Sequence, residues 1–124
     1  MSDHETYLAD NDSRFIDELV DFLRIPSISS LPDHATHVAA AAEWAAQRCR
    51  DAGLEEVTIL PTQGHPTVYA QWLGAPEAPT ILIYGHVDVQ PVDPLDEWTS
   101  GPFEPRVTDD GEESRVYARG ANDD

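Results

Sequence analysis

The chain has 124 residues, enough for one domain with its own core, and 24 Asp plus Glu against 7 Lys plus Arg give a formal net charge of -17. All seven basic residues are arginine, and so acidic a surface repels nucleic acid phosphates and anionic membranes; both are excluded as partners. The single cysteine, Cys49, precludes an internal disulfide, and residues 1–12 lack the basic start and apolar run of a signal peptide, which predicts a cytoplasmic protein.

In chain order, residues 1–12 read as a polar tail, and the domain proper is expected over residues 13–124. Asp12 or Ser13 caps a first helix in which Phe15, Ile16, Leu19, Val20 and Leu23 recur at helical spacing until Pro26 stops it. Residues 25–32, broken by Pro26 and Pro32 and rich in serine, are expected to be a loop without a role legible from sequence. A second, alanine-rich helix is expected over residues 36–52, with Gly53 as its stop and Arg48 and Arg50 suiting its C-terminal dipole. Residues 57–60 and 67–73 read as strands joined by a short turn, which permits an antiparallel hairpin.

The next strand ends in the sequence Tyr84-Gly85-His86-Val87-Asp88. Its run Ile81, Leu82, Ile83, Tyr84 is continuously apolar, the pattern of a strand covered on both faces. If the extended conformation continues, His86 and Asp88 point to the same side, which suits a metal-ligating imidazole and the carboxylate that fixes its tautomer. The bland alternative is a strand end with two solvated polar residues. Downstream, residues 90–103 form a proline-rich loop with one aromatic anchor, Trp98. Residues 104–108 and 115–118 are expected as two strands around the acidic turn 109–113. The pair Asp123-Asp124 then follows Gly120, a second carboxylate-bearing exit from a strand. The other histidines, His4, His34, His37 and His65, read as solvated.

Taken together, Tyr84-Gly85-His86-Val87-Asp88-Val89-Gln90-Pro91, Trp98, Pro102-Phe103 and Tyr117-Ala118-Arg119-Gly120-Ala121-Asn122-Asp123-Asp124 resemble the zinc metallopeptidase family of aminoacylase, carnosinase, succinyl-diaminopimelate desuccinylase and the glutamate carboxypeptidases. Phe22-Leu23-Arg24-Ile25-Pro26-Ser27-Ile28-Ser29 is similar to the family's opening, and Gln90-Pro91 with Trp98 and Pro102-Phe103 is most similar to its dipeptidase, or carnosinase-like, branch. The resemblance implies an α/β fold: the N-terminal portion of a zinc-exopeptidase-like catalytic domain, a mixed sheet with helices packed on it. It implies His86 as a ligand of one metal, Asp88 as the catalytic-site carboxylate that orients it, and Asp123 as the carboxylate bridging two divalent ions. Zinc is expected first, with manganese or cobalt as alternatives. The Asp123–Asp124 peptide bond is implied to be cis, and Ala118 stands where the family usually has glycine.

The implied reaction is hydrolysis of dipeptides or N-acyl amino acids by a metal-activated water. The family takes its general-base glutamate and remaining ligands from beyond the Asp-Asp pair, together with a lid or dimerisation domain. The expectation is therefore a fragment, inactive alone and doubtful in metal occupancy, of an enzyme that forms a homodimer through an absent domain. A different class of reading is a non-catalytic acidic domain acting through a partner chain. The charge also suggests a salt-rich cytoplasm, where cations screen self-repulsion.

Overall fold

A computed structural model describes residues 2–109, 111 and 113–122. The element order is helix α1 (Asp3–Leu23), helix α2 (Ala35–Asp51), strands β1 (Glu55–Leu60) and β2 (Thr67–Gln71), then β3 (Arg106–Asp109) and β4 (Ser114–Tyr117), with short 3-10 turns at Pro32–His34 and Leu95–Glu97.

The first helix starts nine residues earlier than the expected cap at residue 12 or 13, so the sequence read as a polar tail is helical from Asp3 onward. Its first turns carry no apolar stripe for periodicity to detect, and Tyr7 and Leu8 are exposed. Local polar bonds hold them instead. The Glu5 carboxylate accepts hydrogen bonds from both the backbone N–H and the hydroxyl of Ser2, each at 2.7 Å. The backbone bond from Ser2 is the main reason the Glu5 carboxyl lies below its ordinary pKa. Further along, Asn11 donates to the carbonyl of Tyr7 and Arg14 pairs with Glu18 at 2.7 Å.

Helix α2 lies within a residue of its expected bounds. It ends before Gly53, whose φ of +82° is the left-handed conformation that a glycine adopts without steric cost. Its buried residues Val38, Ala41, Ala42 and Ala46 fall on one face, and these short side chains let the helix lie close on β1 and β2. Phe22 of α1 stacks on Trp44 of α2 with ring centroids 4.8 Å apart. Leu23 and Ile28 complete a small apolar core.

The two hairpins form where turn chemistry placed them. β1 pairs antiparallel with β2, with a bulge between Glu55 and Thr58, and β3 pairs antiparallel with β4 from Arg106↔Tyr117 to Asp109↔Ser114. The pairs make separate two-stranded sheets.

The expected strand through Ile81–Tyr84 is the main departure. These four residues are in no strand, and Ile81, Leu82, Ile83 and Tyr84 are 78%, 94%, 83% and 87% exposed. The apolar run supplies β propensity, but a strand also needs a neighbouring backbone to exchange hydrogen bonds with. A cavity of about 450 Å³ is lined by Thr67 and Val68 of β2 together with Ile83, Tyr84 and Gly85.

Candidate metal centre

Backbone pairing to a distant segment begins at Val87. Backbone residues 27–28 run parallel to 87–89: Ile28 and Val89 form a β-bridge, and the Val89 N–H donates to the Ser27 carbonyl at 3.0 Å. The Ser27 hydroxyl, 2% exposed, donates to the Val87 carbonyl at 2.8 Å. The Ser29 hydroxyl donates to Oδ2 of Asp88 at 2.5 Å, at the short end for a charge-assisted bond. The serine-rich stretch that sequence left without a role is thus a strap over the Gly-His-Val-Asp segment.

Two histidines anchor the strap from outside. His34 Nδ1 donates to the Pro26 carbonyl at 2.7 Å, and His65 Nε2 donates to the Ser29 carbonyl at 2.8 Å. Sequence reading set both aside as solvated; each instead bridges a helix start or a hairpin turn to the strap. No local sequence signal marks these bonds, since residue 65 meets residue 29 only through the fold.

His86 and Asp88 lie on one side, as the extended backbone predicted. Nδ1 of His86 is 3.0 Å from the Asp88 carbonyl oxygen and 3.4 Å from its Oδ1. Both neighbours are acceptors, so Nδ1 carries the proton and the lone pair of the neutral ring is on Nε2. An imidazole with its second nitrogen held by a carboxylate-bearing residue has the donor chemistry of a divalent transition-metal ligand, and the pair fits that role. Among the described residues, no three His, Cys, Asp or Glu side chains converge on one point. Asp123, the implied bridging ligand, and Asp124 lie outside the described residues.

The route from His86 toward residue 123 is held by Arg119. Its Nη2 donates to the Pro91 carbonyl at 3.0 Å, its guanidinium lies 5.2 Å from the Trp98 ring, and its backbone N–H donates to the Pro102 carbonyl at 2.8 Å. Trp98 in turn donates from Nε1 to the Val92 carbonyl at 2.8 Å. One side chain therefore ties the loop after Asp88 to the exit of β4. Arg119→Ala is expected to cost about 2 kcal/mol, the sum of a charged hydrogen bond and a cation–π contact. Thermal unfolding measures this, and Arg119→Lys should recover only part of it because an ammonium lacks the planar fork.

The described residues thus place an oriented imidazole where the chain leaves an exposed apolar run. Residues 82–124 match the model described as Peptidase family M20/M25/M40. A cysteinylglycine-S-conjugate dipeptidase of Corynebacterium striatum is 35% identical over 117 residues, covering 94% of this chain and 25% of that protein. A Cys-Gly metallodipeptidase of Candida albicans is 30% identical, covering 90% of this chain and 25% of its own length. The structure of the dipeptidase Dug1p from Saccharomyces cerevisiae superposes with a TM-score of 0.81 at 25% identity, over 94% of this chain and 26% of that one. The chain is similar to Peptidase family M20/M25/M40 over residues 82–124 and, along nearly its whole length, to these dipeptidases. It spans about a quarter of the length of these relatives.

Proposed function

We propose that this chain forms part of the active site of a metal-dependent dipeptidase, a hydrolase of peptide C–N bonds, with His86 as a metal ligand and Asp88 as the acid that orients it. The observation that carries this reading is the His86–Asp88 pair on its strap, in a chain similar along nearly its whole length to dipeptidases. The fuller form of the reading has two divalent ions, zinc first with manganese or cobalt as alternatives, and Asp123 as the carboxylate between them. Bound at such a centre, divalent metal would polarise a scissile carbonyl and make a bound water nucleophilic near neutral pH.

The residues present have definite parts in this. Asp88 holds the His86 Nδ1 proton and so keeps Nε2 available as a donor. Arg119 holds the 90–103 loop against the β4 exit. The substrate class is a short peptide, cysteinylglycine-like dipeptides being the first candidates because two of the relatives named above act on them by their names. We propose further that the general base of this scheme is not among these 124 residues, which alone would bind metal weakly and hydrolyse nothing.

Calorimetric titration of the chain with Zn²⁺, alongside a Cys-Gly hydrolysis assay with Zn²⁺ or Mn²⁺ added, tests both halves. Weak saturable binding without turnover is expected. Absence of any binding would remove the metal reading, and appreciable turnover would remove the proposal that the base is missing.

A further inference from the structure

We infer that Ser29 is a positioning residue for the centre, setting the rotation of the Asp88 carboxylate and through it the tautomer of His86. The inference deepens the metal-centre reading and rests on it only for the metal-binding consequence.

The torsion about the bond to a carboxylate is broad, so an aspartate does not by itself hold one oxygen toward a neighbour. Here the two oxygens of Asp88 have different tasks. Oδ2 accepts the Ser29 hydroxyl at 2.5 Å, and Oδ1 lies 3.4 Å from Nδ1 of His86. Asp88 is partly buried, and the side chains of Asp88 and His86 are 35% and 40% exposed, so water competes for both. With Oδ2 pinned, Oδ1 stays turned to the imidazole and adds a second acceptor for Nδ1–H beside the Asp88 carbonyl oxygen, 3.0 Å from the same nitrogen. Among the described residues, no other hydrogen bond to Oδ2 fixes that rotation.

Ser29 can do this because it is itself held on both sides. The β-bridge Ile28↔Val89 sets its register against Asp88, and His65 holds its carbonyl at 2.8 Å. Ser27 provides an internal contrast. It lies two residues earlier on the same strap with a hydroxyl bond of similar length, but that bond ends on the Val87 backbone and leaves the carboxylate alone. Ser27 therefore serves the strap's attachment, and Ser29 serves the orientation of the acid.

Long-range ¹H–¹⁵N spectra of the labelled chain, taken near pH ~8.5 where imidazole is neutral, report the His86 tautomer directly. Wild type is expected to show the Nδ1–H form. Ser29→Ala should populate the Nε2–H form while the chain stays folded, and Ser29→Thr, which keeps the hydroxyl, should restore the wild-type pattern. Ser27→Ala should lower the unfolding temperature yet keep the Nδ1–H form. A His86 tautomer unchanged in Ser29→Ala overturns the inference, as does a shift of equal size in Ser27→Ala. Zn²⁺ titration of the same samples separates the two readings. About tenfold weaker binding in Ser29→Ala supports the inference, since outer-shell partners commonly tune affinity by 10–100-fold. If Zn²⁺ leaves the His86 resonances of wild type in place, the ligand reading fails, while the tautomer comparison still decides the role of Ser29.

Discussion

His86→Ala is expected to weaken Zn²⁺ binding by about 100-fold or more while leaving the fold nearly as stable as before. The size follows from the rank of the contact. Partners one step removed from a metal already change affinity by 10–100-fold, and loss of the ligand itself removes a coordinate bond that they only tune. The small effect on stability follows from exposure. The His86 side chain is 40% exposed, so its removal opens no buried cavity. Calorimetric titration with unfolding curves on the same protein separates these quantities. A variant that binds Zn²⁺ as wild type does would take His86 out of the centre. One that loses binding only because it unfolds would show the loss in both measurements.

What sequence made legible here was whatever depends on neighbours along the chain. His86 and Asp88 are two residues apart, and extended geometry alone places them on one side. Gly53 announced the end of α2, and the prolines and acids around residues 61–66 and 109–113 announced the two hairpins. Two kinds of feature escaped. One is the contact between distant segments: Ser29 meets Asp88 across 59 positions and His65 meets Ser29 across 36, and neither bond leaves a local trace. The other is structure held by polar groups. The start of α1 rests on Ser2, Glu5 and Asn11, residues that a search for apolar periodicity passes over.

The run Ile81–Tyr84 shows the opposite failure, where a strong local signal met no partner. Its composition is that of a buried strand, yet hydrogen bonding is a property of pairs of segments, and the described elements place none beside it. The charge is a separate matter. At -17 the chain repels itself over tens of ångströms in dilute buffer, and added salt shortens that reach to a few. We propose on that ground that folded stability rises with KCl.

Leu23→Ala is expected to destabilise the chain by about 3 kcal/mol, within the range for truncating a buried leucine. Leu23 is 3% exposed, and the other buried apolar residues among those described are Ile28, Val38 and three alanines. A core made largely of alanine has little volume to shift into a vacancy, because short side chains cannot swing over to fill it. Against the ~5–15 kcal/mol of an ordinary domain, a 3 kcal/mol loss is a large share. Urea unfolding should show a lower midpoint at unchanged slope. The consequence reaches the site as well. Leu23 closes α1, the Ile25 N–H bonds back to the Phe22 carbonyl, and the strap begins at the next residue. Loosening that corner frees Ser27 and Ser29 from their register with Val87 and Asp88. Leu23→Ala should therefore weaken Zn²⁺ binding through the same Asp88 rotation that Ser29 controls, by no more than Ser29→Ala does. Leu23→Met, which restores most of the volume, should recover stability and binding together.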